Sequence, residues 1–234
     1  MKIYAGTSGY SYEEWKGIFY PEKISPKEML HFYSERFETV EINNTFYRMP
    51  SKLVLTDWTN QVPDDFIFAF KAPQVITHVK RLRNVVQATG YLLRALSVLA
   101  ERLGPVLFQF PPSFQADYSA LKDFLAILPT TVSFAFEFRN TSWIDSRIIE
   151  LLGEKRCSLC LTDSGEAPAD RIISTTQWGY LRLRRTHYTD DELFHWMKRI
   201  LSQEWEKAFV FFKHGQGATG PEMAMRFRSL ARQE

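Results

Sequence analysis

The stretch TVEINNTFYRMP, residues 39–50, opens as a short β-strand and closes as a polar, aromatic turn. Alternation along a strand puts Val40 and Ile42 on one side and Glu41 and Asn43 on the other. Asn44, Thr45, Tyr47 and Arg48 then crowd the turn. A carboxylate and an amide are costly to bury unless they find partners or a ligand. Glu41 and Asn43 are therefore expected to look into a site that other segments complete.

Outward from this stretch, the same unit recurs: a short β-type run followed by a helical pattern. The runs are Lys2–Ala5, Thr39–Asn43, Phe66–Lys71, Pro105–Phe110, Val132–Phe138, Cys157–Leu161, Gly179–Arg184 and Ala208–Lys213. The helical pattern Pro26–Phe37 is entered by Ser25-Pro-Lys-Glu28, which fits a capping box with proline at the first helical position. Val85–Leu103 carries Leu92, Leu93, Leu96 and Leu99 at helical spacing before Gly104-Pro105 stops it. Further helices are expected at residues 51–61, Tyr118–Leu128, Asp145–Lys155, from a second capping box at Thr189 and Glu192 to about Trp205, and at Glu222–Arg232. Residues 163–177 show no convincing helix. Eight strands alternating with helices, without repeats or a domain break, lead us to expect one (β/α)8 TIM-type barrel over residues 1–234. The alternative is an open doubly wound sheet. No Gly-rich dinucleotide fingerprint follows the first strand, and no cofactor is expected.

Composition narrows the function classes. A hydrophobic fraction of 45% and a charged fraction of 24% are those of an ordinary globular chain, and 19 phenylalanines imply a Phe-rich core. A net charge of +2 does not argue for a general nucleic-acid or membrane binder, although a local basic patch stays open. The opening MKIYAGTSGY has no apolar signal-peptide core, and no run approaches the roughly 18 apolar residues of a membrane span. Cys157 and Cys160 have CxxC spacing, yet on a strand they point to opposite faces, and no second pair or nearby histidine completes a zinc set. Reduced core cysteines and a cytoplasmic location are expected.

In such barrels the functional groups lie at the C-terminal ends of the strands. Those ends carry Thr7 and Ser8, then Glu41, Asn43 and Asn44, then Lys71 and Gln109. Glu137 and Arg139, Asp163, Arg182 and Arg184, and Lys213 and His214 complete the ring, and the opposite ends show no comparable concentration. Alternation sends Phe66, Phe68 and Phe70 outward and leaves Ile67, Ala69 and Lys71 inward. It likewise sends Phe134, Phe136, Phe138, Leu181 and Leu183 to the helices, and Glu137, Arg139, Arg182 and Arg184 inward.

Cations outnumber carboxylates on this rim, so a small anionic ligand is expected. The segment KHGQGATGPE, residues 213–222, places Gly215, Gly217 and Gly220 just before a helix, where backbone N–H groups commonly bind phosphate. The run HVKRLR, from His78 to Arg83, with Tyr47 and Trp143 nearby, is either a groove that tracks a phosphate backbone or a solvated loop face. Nothing resembles a local metal motif, and no metal is expected. Two functions fit. In the first, Glu41 or Glu137 is the general acid/base of an enzyme acting on a phosphorylated or other anionic substrate. Lys71, Arg139, Arg182 and the 213–220 loop then stabilise negative charge. In the second, a non-catalytic barrel binds nucleic acid through its basic rim with Tyr47, Trp143 and Trp15. Against both stands an internal ion-pair network that merely closes the barrel.

Several stretches together resemble the YecE-like family, also called domain of unknown function 72. They are GTSGYSYEEWKGIFYP (6–21), FETVEINNTFYRMP (37–50), FAFKAPQVITH (68–78), LGPVLFQFPPSF (103–114) and FAFEFRNTSW (134–143), with YLRLR (180–184) and FVFFKHG (209–215). The resemblance implies a TIM-type barrel and supplies no reaction, so it assigns no catalytic residue. It also marks a departure: Arg185-Thr186 stands where similar proteins often read His-Gly.

Overall fold

The computed structural model describes residues 1–165, 171–213, 215 and 217–231. Its strands are β1 (Lys2–Thr7), β2 (Thr39–Ile42), β3 (Ile67–Lys71), β4 (Leu103–Gln109), β5 (Phe134–Glu137), β6 (Ser158–Leu159), β7 (Leu161–Asp163), β8 (Trp178–Leu183) and β9 (Lys207–Phe212). The helices are α1 (Met29–Ser34), α2 (Lys52–Gln61), α3 (Val86–Leu96), α4 (Tyr118–Ala126), α5 (Ser146–Glu154), α6 (Asp190–Leu201) and α7 (Thr219–Ala231). All ladder pairings are parallel. The strands form two sheets, a four-stranded one in the order β1-β9-β8-β7 and a five-stranded one in the order β2-β3-β4-β5-β6.

This corrects the expectation of a single closed eight-stranded barrel, and two local causes are visible. At the first seam β1 runs beside β2, but only an isolated parallel bridge, Ser8 to Glu41, joins them. The hydroxyl of Tyr33, on α1, takes the place of ladder bonds there: it accepts from the Thr7 N–H at 2.9 Å and donates to the Thr39 carbonyl at 3.1 Å. A side chain at Gly6 would collide with that same carbonyl. At the second seam, the strand expected over Cys157–Leu161 is cut at Cys160. Cys160 N–H still donates to Phe136 O at 2.8 Å, whereas Leu161–Asp163 turn to pair with Leu181–Leu183. The Ser158 hydroxyl spans this seam to Trp178 O at 3.4 Å.

The face assignments agree with the alternation. Phe68, Phe70, Phe108, Phe134 and Phe136 pack with the helix residues Leu92, Leu96, Phe124 and Leu152 in one core, while Ala69, Leu107, Ala135, Tyr180, Phe209 and Phe211 form a second, inner one. The two cysteines fall on opposite sides as expected, Cys157 in the outer core and Cys160 in the inner, and both are free thiols. Burial pushes the Cys157 thiol up to about 12.

Helix boundaries follow local chemistry. Thr189 and Glu192 make the reciprocal capping box that starts α6, and Asp117, Asp145 and Ser51 each cap the helix that follows them. Several expected helices are shorter, two of them markedly. Glu28 does bond back to Ser25, but α1 begins only at Met29. The helix expected over Val85–Leu103 ends at Leu96, and a 3-10 segment, Ser97–Arg102, follows with Ala100 at a φ of 48°. Among the described residues no helix is long and apolar enough to cross a membrane.

Candidate functional site

Because β1 and β2 bridge in parallel, the C-terminal ends of both sheets open to the same side. Sequence alternation on β8 turns Tyr180 and Arg182 inward there, and this inward step is aided by Gly179, where a side chain would strike the Trp205 ring. Arg182 is the centre of the site. Its Nε and Nη2 both reach Glu41 at 2.9 Å, a bidentate pair, and its Nη1 reaches Glu137 at 2.7 Å. The three residues are 2%, 0% and 1% exposed respectively.

Both carboxylates are saturated. Glu41 Oε1 also accepts from Ser8 Oγ at 2.8 Å and Asn43 Nδ2 at 2.9 Å, and Oε2 accepts from the Tyr180 hydroxyl at 2.8 Å. Glu137 accepts from Gln109 Nε2 at 2.9 and 2.8 Å and from Arg139 Nε at 3.1 Å. Burial alone would raise the Glu41 carboxyl, but Arg182, Arg184 and Asn43 outweigh it and hold it at about 2. Glu137 is lowered in the same way, with Arg182, Arg139 and Gln109 overcoming its burial. A pair of carboxylates this low and this enclosed stays ionised at neutral pH and neither offers nor takes a proton readily. Replacing charges with apolar groups would generally serve stability as well or better; what the network does is hold the Arg182 guanidinium fixed between the two carboxylates.

The rim above it is cationic. Arg184 is half-buried, with Nη1 3.4 Å from Ser8 Oγ, and burial followed by repulsion from Arg182 lowers its pKa. Lys71, at the end of β3, holds its ammonium 4.0 Å from the Phe46 ring centroid. Among the described residues that ammonium has neither a hydrogen bond nor an ion pair, while the Lys71 carbonyl accepts from Thr45 Oγ1. Burial, then Arg182, brings its pKa down to about 8. His78 stacks edge-on against the same Phe46 ring at 4.8 Å and shares a 2.8 Å hydrogen bond with Thr77 Oγ1 through Nδ1. Burial and the neighbouring Lys71 and Arg139 lower its pKa, so it is neutral at pH 7. Among the described residues two carboxylates thus face four cations, Arg182, Arg184, Arg139 and Lys71, an excess of two positive charges.

Not every expected site residue joins this cluster. Trp143 is a correction: it is fully buried, stacked on Phe138 at 4.5 Å, with its indole N–H bonded to Phe114 O. Trp15 is fully buried too. Neither ring can meet a ligand on the rim. Asp163 is buried but taken by Arg185 Nε at 2.9 Å and by the Tyr188 hydroxyl at 3.2 Å, and Arg185 also pairs with Glu192. The Arg185 departure from the family pattern therefore has a structural role. Asn44 and Tyr47 are exposed beside the cluster. They line, with Trp58, Val75 and Tyr91, an open groove of about 970 Å³. Lys213 is half-buried, its N–H bonded to Leu183 O. Gly215 and Gly217 adopt left-handed φ values of 68° and 56°, and a side chain at Gly215 would strike Thr219. His214 lies outside the described residues. The basic run is divided: Leu82 is buried, Arg83 pairs with Asp117, Lys80 bonds to Asn84 O, and Arg81 reaches Ser113. Among the described residues no three His, Cys, Asp or Glu side chains converge as a metal site would require. Tyr180 and Tyr188 join these networks without having been singled out. Tyr180 was within reach, since it sits two residues before Arg182 on the same face.

The family model described as "Protein of unknown function DUF72" matches residues 4–234. The chain belongs to this family. Its curated DUF72 relatives include the UPF0759 protein YecE of Escherichia coli K12, 32% identical over 139 residues, covering 59% of this chain and 48% of that protein. The UPF0759 protein YunF of Bacillus subtilis is 29% identical over 160 residues, covering 63% of this chain and 54% of that protein. The chain thus matches about half the length of these curated relatives. A crystal structure of a DUF72 family protein from Thermotoga maritima superposes with a TM-score of 0.85 at 28% identity, covering 99% of this chain and 100% of that one. A DUF72 protein from Enterococcus faecalis shares the fold alone, with a TM-score of 0.81 at 19% identity over 98% and 95% of the two chains.

Proposed function

We propose that this DUF72 protein is an enzyme acting on a small phosphorylated or other anionic substrate at the C-terminal ends of its strands. One observation carries this: the buried carboxylates are fully consumed by Arg182, Arg139 and their neighbours, while among the described residues Lys71 and Arg184 add positive charge at the rim that no carboxylate pairs. Preorganised cations in a poorly hydrated site stabilise developing negative charge without reorganising. The acid–base role expected of Glu41 and Glu137 moves to Lys71. With a pKa of about 8 it carries a usable fraction of free amine at neutral pH, as a general base requires. Glu41 and Glu137 act through Arg182, as positioning residues.

Thermal shifts against phosphorylated metabolites, simple carboxylates, nucleotides and oligonucleotides test this, followed by turnover assays on whatever binds. A ligand at about 100 times its dissociation constant adds roughly 2.7 kcal/mol to the native state. A shift with small anions supports the proposal. A shift confined to oligonucleotides and erased by salt would replace it with a nucleic-acid-binding function.

A further inference from the structure

We infer that the anionic substrate carries a planar aromatic ring, and that this ring lies in the open groove beside the cationic rim. The inference rests on the anion-binding function proposed above and names the substrate class for it. The groove is built by the loops that leave the strands carrying Glu41 and Lys71. After β2 the chain makes a 3-10 turn, Asn44–Phe46, and runs on to α2; after β3 it passes Pro73 into a π-helix, Val75–Val79. Thr45 Oγ1 donates to Lys71 O at 2.5 Å, which fastens the first loop to the end of β3. Phe46 turns in and Tyr47 turns out. The buried Phe46 ring lies 4.0 Å from Lys71 Nζ and meets the Tyr47 ring at 5.0 Å, so the ammonium and a wall of the groove touch the same phenyl ring. A smaller cavity of about 80 Å³ makes a second link. Asn44 and Trp58 line both spaces, and Asn43, which lines the cavity, holds Glu41 Oε1 at 2.9 Å.

Three rings from three elements wall the groove: Tyr47 from the turn, Trp58 from α2 and Tyr91 from α3. Trp58 stacks on Phe68 at 6.1 Å and meets Tyr10 edge-on at 6.2 Å, so its position is fixed before a ligand arrives. Tyr47 and Tyr91 are 79% and 56% exposed. Contiguous exposed apolar surface of this kind marks a binding surface, and a space of this size with aromatic walls and few polar groups is the usual form of a small-molecule site. Charge selects the occupant. Among the described residues lining the groove, Arg48 is the one charged side chain; its guanidinium has no hydrogen bond or ion pair, and no carboxylate lies beside it in the lining. With Lys71 and Arg184 at the adjoining rim, an aromatic compound bearing an acid group is complementary to the whole surface, and a cationic one is not.

The test compares phenyl phosphate with inorganic phosphate and with uncharged benzyl alcohol, by calorimetry and by acrylamide quenching of tryptophan fluorescence. Trp15, Trp143, Trp178, Trp196 and Trp205 are all buried, so quenching reads Trp58. Phenyl phosphate should bind about tenfold more tightly than inorganic phosphate, the worth of one good aromatic contact. It should also shield Trp58, and benzyl alcohol should not. Tyr47→Ser/Tyr91→Ser, at two exposed positions, should keep inorganic phosphate binding and lose the added affinity. Equal affinity for the two phosphates, without shielding, would overturn the aromatic substrate and leave the anion site standing. Benzyl alcohol that shields Trp58 as well as phenyl phosphate does, or a double variant that keeps the full advantage, would overturn it in the same way. Absence of binding by either phosphate would overturn the anion site and the aromatic substrate together.

Discussion

Arg182→Met removes the cation that both buried carboxylates depend on. Glu41 loses a bidentate pair at 2.9 Å and Glu137 a bond at 2.7 Å, in a place where none of the three is more than 2% exposed. Moving Glu41 from its ordinary value of 4.5 to about 2 is worth roughly 3 kcal/mol. Breaking a buried pair by removing one partner typically costs about 3–5 kcal/mol. The expected loss at pH 7 is therefore about 3–5 kcal/mol, read by urea unfolding and as a midpoint lower by roughly 6–20 °C for a chain of this size. The pH dependence has a definite sign. In the wild type Glu41 titrates below its unfolded value, so its stabilisation is complete above about pH 5 and fades as the pH falls toward 2. In the variant the orphaned carboxylates, now governed by burial, protonate at higher pH and shed the penalty. The gap between the two proteins should narrow from pH 7 to pH 4. Neutralising the carboxylates as well, in Glu41→Gln/Glu137→Gln/Arg182→Met, should recover most of the loss. A loss under about 1 kcal/mol, or a gap unchanged between pH 7 and pH 4, would show that the carboxylates do not depend on Arg182.

Two other substitutions address how the chain is arranged. Tyr33→Phe deletes the hydroxyl that serves Thr7 N–H and Thr39 O, and should cost about 1–3 kcal/mol in urea unfolding by orphaning two buried backbone groups; a neutral result would remove Tyr33 from the seam. Gly179→Ala forces a methyl group onto the Trp205 ring and should cost about 1–3 kcal/mol with a change in tryptophan fluorescence; an unperturbed spectrum would show that the ring yields freely.

Much of this arrangement is legible in the sequence. The strands stand out because alternation in FIFAFK, SFAFEFR and GYLRLR is strict, and both hydrophobic cores follow from it. The partition into two sheets is not legible. It turns on one hydroxyl from α1 and on a one-residue break at Cys160, and neither leaves a periodic signal. Glu41, Glu137, Lys71 and Arg182 are likewise readable as inward charges at strand ends. Their pairing is not, because Arg182 lies 141 residues from Glu41 in sequence, and only the pairing reveals that the carboxylates are spent and that, among the described residues, the Lys71 ammonium pairs with neither of them. Trp143 misleads for a related reason. An aromatic residue after a strand reads the same whether it stacks on a ligand or, as here, on Phe138.

A calorimetric titration with inorganic phosphate, of the wild type beside Arg139→Gln/Lys71→Met, bears most directly on the cationic rim. Saturable binding by the wild type that is lost in the double variant, with both proteins folded, is the predicted result. Equal affinity in the two proteins, or no binding by either, would contradict an anion site built on Lys71 and Arg139.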